Sequence, residues 1–145
     1  MKLCVIGTGY VGLVTGTCFA ESGNDVVCVD IDTEKIRLLR DDGKVPIYEP
    51  GLEELIERNV REERLSFTTN LAEAMQQAQV CFIAVGTPPA ADGSANLTYV
   101  ETAAADIAKA MTGYCVVVNK STVPVGMGKR VREIIRQHTS QAVSY

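Results

Sequence analysis

The sequence predicts an α/β fold: a single domain built on a doubly wound, mostly parallel sheet of six strands with helices on both faces. Short runs of apolar, largely β-branched residues alternate along the chain with longer stretches at helical spacing. The strand-like runs are apolar throughout instead of alternating with polar residues, as strands buried on both faces must be. Each run is also separated from the next by enough chain to carry a helical crossover, which parallel neighbours require.

KLCVI (2–6) reads as the first strand. From Tyr10 to Glu21 apolar residues recur every three or four positions, giving a helix that Gly23 stops. DVVCVD (25–30) is the second strand, and DTEKIRLLRDDG (32–43) is a helix capped by Asp32 or Thr33 and ended by Gly43. VPIYEP (45–50) is a proline-bounded loop, and GLEELIERNVREER (51–64) is a charged amphipathic helix. LSFTT (65–69) is the third strand, NLAEAMQQA (70–78) a helix capped by Asn70, and QVCFIAV (79–85) the fourth strand. A loop rich in turn formers, GTPPAADGSAN (86–96), leads into an alanine-rich helix over 97–111. YCVVVNK (114–120) is the fifth strand, STVPVG (121–126) a loop and MGKRVREIIRQH (127–138) a helix, after which QAVSY (141–145) begins a sixth strand.

Composition narrows the function. The chain has 145 residues, 46% of them hydrophobic and 22% charged, which suits one domain. No apolar run approaches the roughly 20 residues of a membrane span, and MKLCVIGTGY lacks the shape of a secretory leader. The net charge is −4 with no basic stripe, which argues against a nucleic-acid partner. Of five cysteines, Cys4, Cys28, Cys81 and Cys115 lie in apolar runs, Cys18 does not, and none forms a C-x-x-C pair. Reduced core thiols in a cytoplasmic protein are the expectation. With His138 as the one histidine, on a polar stretch expected at the surface, neither a metal site nor a Cys–His pair is predicted.

VIGTGYVG (5–12) places glycines at G-x-G-x-x-G spacing. That spacing alone is weak; between a first strand and a first helix it is the fingerprint of a dinucleotide-binding turn. Gly7 permits the tight turn, Gly9 admits a pyrophosphate close to the backbone, and Gly12 lets helix and sheet approach. The N–H groups of Tyr10 and Val11 then face the phosphates at a helix N-terminus. Asp30 closes the second strand at the fingerprint's distance of about 20 residues, where its carboxylate accepts hydrogen bonds from a ribose. A 2′-phosphate would meet Asp30 and Asp32 as like charges, so NAD is favoured over NADP. Lys35 reads equally as a cation beside this ribose and as a solvated helix face. Ligands of this fold bind where the strand order reverses. Gly86 and Thr87 open the loop after the fourth strand there, and Ser121 and Thr122 the loop after the fifth. Turn chemistry explains both loops as readily.

VIGTGYVGL, VDID, YEPGLEEL, VGTPP followed by DGSANL, and KSTVPVG occur in this order and at matching spacings across the whole chain. Together they resemble the N-terminal NAD-binding Rossmann domain of the UDP-glucose/GDP-mannose dehydrogenase family, and KSTVPVG is most similar to the UDP-glucose branch. The resemblance implies oxidation of a nucleotide-sugar C6 hydroxyl to a carboxylate with two NAD in succession, through a cysteine-bound intermediate, in a homo-oligomeric parent enzyme. It also implies that Val11, Asp30, Lys35, Thr87 and Thr122 contact NAD, and that Thr122 helps to order the hydrolytic water. The family's nucleophilic cysteine, in a G-x-C-x-P-K-D context, has no counterpart here, so the resemblance implies that the central helix and substrate domain lie outside these residues. The chain alone is then expected to hold NAD without complete catalysis.

A stand-alone NAD-sensing regulatory domain would share the length and the glycines, but has no use for VGTPP or KSTVPVG. Cofactor domains of the UDP-N-acetylmannosamine and GDP-mannose branches, or of hydroxyacid dehydrogenases related to the 6-phosphogluconate group, are further alternatives. Asp30→Ala is expected to weaken NAD binding by about 1.5–3 kcal/mol, the range for a hydrogen bond to a charged group, as read by calorimetric titration.

Overall fold

The computed structural model describes residues 1–139. Five parallel strands stand among them: β1 (Lys2–Ile6), β2 (Asp25–Val29), β3 (Leu65–Thr68), β4 (Val80–Ile83) and β5 (Val116–Asn119). The expected sixth strand, 141–145, lies outside the described residues. The helices are α1 (Tyr10–Glu21), α2 (Thr33–Arg40), α3 (Leu52–Arg61), α4 (Leu71–Met75), α5 (Thr98–Ala110) and α6 (Met127–His138).

The sheet runs β3-β2-β1-β4-β5 with every pair parallel. The chain builds outward from β1 to β3, then crosses back over two strands to β4, so the order reverses between β1 and β4. Alternation along the strands divides the core in two. Leu3, Val5, Val26, Cys28, Leu65 and Phe67 pack under α1, α2 and α3; Cys4, Ile6, Val29, Cys81 and Ile83 pack under α4, α5 and α6. Apolar residues therefore fill both parities of each inner strand, and the continuous runs in the sequence are their one-dimensional trace.

Local chemistry sets the element ends. Asp32, not Thr33, caps α2, its carboxylate accepting the Lys35 N–H at 3.0 Å. This helix ends at Arg40, earlier than expected, because the chain closes a reversed turn in which the Lys44 N–H reaches the Leu38 carbonyl at 2.9 Å. Gly43, at φ +63°, makes that turn possible, so its expected role holds. The α4 helix stops at Met75 because the next turns tighten: Gln76 and Ala78 donate to carbonyls three residues back. Its Asn70 cap is as expected, accepting the Glu73 N–H.

The α1–α3 layer is pinned by a polar knot at its far end. Asn59 is fully buried and donates to Glu21 Oε2 at 2.7 Å and to the Leu55 carbonyl at 2.8 Å, while Arg64 Nε donates to its Oδ1 at 3.0 Å. Arg58 closes the knot by donating to Glu21 Oε1 at 2.6 Å. These bonds lower the Glu21 pKa, with Asn59 contributing most.

Where α1 crosses β2, contact depends on a missing methyl group. A Cβ at Gly16 would sit 2.5 Å from Cys28 Sγ. Gly16→Ala is expected to cost about 1–3 kcal/mol through overpacking. Adding Cys28→Ala should recover most of that loss, a non-additivity above about 0.5 kcal/mol in urea unfolding of the two single variants and the double variant.

Candidate cofactor site

The carboxyl ends of β1, β2, β4 and β5 lie along one edge of the sheet, on either side of the point where the strand order reverses, and every sequence-predicted site residue lies in the turns and loops that follow those ends or in the helices they enter. At the centre is the turn from β1 into α1. Gly7 adopts φ +100°, and a Cβ there would stand 2.7 Å from the Ala84 carbonyl oxygen. A Cβ on Gly12 would stand 1.8 Å from the Gly7 carbonyl oxygen and 3.2 Å from Ala84 Cβ. Gly12 thus lets the first turn of α1 close onto the glycine turn beside β4, while the tightest approach of the helix to β2 belongs to Gly16, which sequence reasoning overlooked.

Gly9 is different. Its absent Cβ faces open space, with nothing within 4 Å, and its backbone is extended. It is the N-cap of α1, and no side chain caps the helix there. A negatively charged group would meet backbone N–H groups and the positive end of the helix dipole at this point. Tyr10 and Val11, in the first turn, are exposed.

Asp30 ends β2 beside this turn. Its Oδ2 accepts the Thr8 N–H and the Thr8 hydroxyl, each at 2.7 Å, and Lys35 Nζ lies 3.3 Å away. Its Oδ1 accepts the Asp32 N–H at 3.1 Å. Burial opposes the charged form, but these donors and the Lys35 ammonium outweigh it, and the carboxyl lies below its ordinary pKa. The side chain of Asp30 is only 11% exposed and that of Lys35 29%, which separates this ion pair from the exposed ones elsewhere on the surface. Lys35 is thus paired with Asp30 by charge and is not simply solvated.

Thr8 is fully buried and escaped the sequence reading. No sequence signal marks it: with Ile6 opposite Val29, Thr8 is brought to Asp30 by the register of the β1–β2 pair. Tyr10 was expected to act through its backbone, yet its hydroxyl also donates to the Glu49 carboxylate, which raises the tyrosine pKa. Glu49 lies in the proline-bounded loop that leads into α3, and its carbonyl accepts the Leu52 N–H at 3.1 Å.

On the opposite rim, Gly86 is exposed and Thr87 half-buried. Turn chemistry does account for the rest of this loop: residues 88–96 form a small closed unit with Pro89 bridged to Ala95, and Asp92 accepts both the N–H and the hydroxyl of Ser94. Ser121 donates its hydroxyl to the Val85 carbonyl at 2.8 Å, tying the β5 loop to the β4 loop, whereas Thr122 beside it is exposed. Four of the five thiols lie apart from this rim in the core or partly within it. Burial raises the Cys28 pKa and pushes that of Cys115 up to about 11; a hydrogen bond with Cys4, then burial, raises that of Cys81. Cys18 and His138 are exposed.

The model of the UDP-glucose/GDP-mannose dehydrogenase family, NAD binding domain, matches residues 1–145. The chain belongs to this family. UDP-glucose 6-dehydrogenase TuaD of Bacillus subtilis is 54% identical to it over 144 residues, which is 99% of this chain and 31% of that protein. Among solved structures, a UDP-glucose dehydrogenase from Pyrobaculum islandicum superposes with a TM-score of 0.92 at 42% identity, covering 98% of this chain and 33% of its own. A GDP-mannose dehydrogenase from Pseudomonas aeruginosa, a ternary complex, gives the same TM-score, 0.92, at 36% identity over 97% of this chain and 33% of its own. The chain therefore spans about a third of the length of the relatives it matches, and it is the NAD-binding domain of the family. No described helix is long and apolar enough to cross a membrane.

The two inner glycines should separate fold from binding. Gly12→Ala is expected to destabilise the chain by more than about 3 kcal/mol, since backbone must move to admit the methyl group. Gly9→Ala should leave the unfolding midpoint within about 0.5 kcal/mol of wild type while weakening NAD binding at least tenfold, as read by thermal melts and calorimetry.

Proposed function

We propose that this chain is the NAD-holding third of an oxidoreductase that converts the C6 hydroxyl of UDP-glucose to a carboxylate. The cofactor reading is carried by the pairing of an ionised, well-anchored Asp30 with the open backbone at Gly9 on one crevice. Of the relatives above, the UDP-glucose enzymes are the more similar to this chain, which supports that sugar over GDP-mannose.

NAD supplies the hydride acceptor when bound; the chain's own residues hold and orient it. Gly7 and Gly12 shape the turn, and Gly9 leaves room for the pyrophosphate over the N–H groups of Tyr10 and Val11. Asp30 accepts from the adenosine ribose hydroxyls and repels a 2′-phosphate, and Lys35 balances its charge. Gly86, Thr87, Ser121 and Thr122 border the nicotinamide end, where the exposed Thr122 hydroxyl is free to orient a water molecule. None of the five cysteines stands in the G-x-C-x-P-K-D context that the resemblance calls for, so the family's nucleophile is assigned to sequence outside these residues, together with the central helix and substrate domain. Five free cysteines support a cytoplasmic location, and the family resemblance supports a homo-oligomeric whole protein.

Calorimetric titration of the chain with NAD, NADP and UDP-glucose tests this reading. Saturable NAD binding, NADP at least tenfold weaker and no heat from UDP-glucose are expected. Equal binding of NAD and NADP would sink the role given to Asp30, and UDP-glucose binding would sink the division of labour.

A further inference from the structure

Thr8 occupies the one position between the two tight glycines where a polar side chain is fully buried. It lies there because β1 and β2 end side by side, with the Gly7 N–H donating to the Val29 carbonyl at 2.7 Å. Its N–H and hydroxyl converge with Lys35 Nζ on a single atom, Asp30 Oδ2. A carboxylate oxygen has about two lone-pair sites, so the protein saturates Oδ2. On Oδ1 there is one protein donor, the Asp32 N–H, which leaves an acceptor site for a ligand. The carboxylate of Asp32 is turned toward the start of α2, where its Oδ1 accepts the Lys35 N–H at 3.0 Å.

We infer that Thr8 is a positioning residue for coenzyme selection: by occupying Oδ2 it locks the Asp30 carboxylate and presents Oδ1 to the ribose hydroxyls of a dinucleotide lacking a 2′-phosphate. The inference rests on the reading of this crevice as the NAD site. Without the Thr8 hydroxyl, the carboxylate keeps its backbone donors and Lys35 but loses one of the two 2.7 Å contacts that hold Oδ2. The groups facing Asp30 are Thr8 from the glycine turn, Asp32 and Lys35 from the start of α2, and the Thr68 carbonyl, which accepts the Asp30 N–H at 3.3 Å. Lys35 is the opposing charge and Asp32 the like one.

The test compares wild type, Thr8→Val, Thr8→Ser, Asp30→Asn and the Thr8→Val/Asp30→Asn double variant in the 145-residue chain. Two readouts are taken, with circular dichroism confirming the native fold at each pH: the Asp30 titration midpoint by carboxyl carbon NMR without coenzyme, and NAD and NADP affinities across pH. Because the folded-state pKa of Asp30 is depressed, the ionised form persists to lower pH than that of an ordinary carboxylate, about 3.9, and is lost as pH falls through the folded value. Thr8→Val should move that midpoint upward, and with it the acid limb of NAD binding. It should also weaken NAD about tenfold and NADP less, so discrimination shrinks; Thr8→Ser should restore all of these. In the Asp30→Asn background, Thr8→Val should change NAD affinity less than twofold. An unmoved midpoint, a tenfold loss that persists without the carboxylate, or a serine variant that behaves like the valine would overturn the inference while leaving the NAD site intact. A wild-type chain that binds no NAD would overturn the cofactor reading and the selection role together, even where the midpoint moves.

Discussion

The site depends on a contact that leaves no room for a methyl group. The Gly7 carbonyl lies against the first turn of α1, and the place a Cβ would take on Gly12 is 1.8 Å from its oxygen. On its other side, Gly7 presses against the Ala84 carbonyl at the end of β4. Three elements thus meet through backbone alone, at the one place where the strand order reverses. Their closeness aims the start of α1 across the crevice and keeps its first N–H groups uncapped by side chains. Space and field arise together there: the turn leaves Gly9 open while the helix dipole points into the opening.

Charge is placed with equal economy. Other ion pairs among the described residues join exposed side chains, such as Arg37 with Glu34 or Lys109 with Asp106, and pairs of that kind contribute about 0–1 kcal/mol each. Asp30 and Lys35 are shielded, and the backbone supplies two further donors to the carboxylate. Desolvation alone would push Asp30 toward neutrality, and a neutral group would neither repel a 2′-phosphate nor accept fully from a ribose. The hydrogen bonds reverse that tendency, so an ion persists where burial would otherwise extinguish it. The thiols behave in the opposite way. Cys28 and Cys81 have burial without compensating donors, and they are packing groups.

Away from the crevice the same logic works for stability. Asn59, a fully buried polar side chain, is tolerated because Glu21, Leu55 and Arg64 meet its amide from three directions. The knot ties the far end of α1 to α3, and Tyr10 with Glu49 ties the near end to the segment that enters α3. The α1 helix is thereby held at both ends by one neighbour.

Much of this was legible in one dimension. Continuous apolar runs specified a parallel sheet because both faces of each inner strand are covered, and glycine spacing with an acidic strand end specified the dinucleotide turn because few other residues satisfy those geometries. The caps at Asp32 and Asn70 came from short polar side chains competing for helix N–H groups. By contrast, helix ends at Arg40 and Met75 were decided by reversed and tightened turns, whose energies depend on where the chain must go next. Thr8, Gly16, Asn59 and Glu49 owe their roles to partners 12 to 39 positions away in sequence. Periodicity and local motifs encode what a residue does to its own segment. Which carboxylate a buried hydroxyl meets, or which thiol a glycine makes room for, is settled only when strands take their register and helices their distance, since those contacts have no existence before the layers are packed.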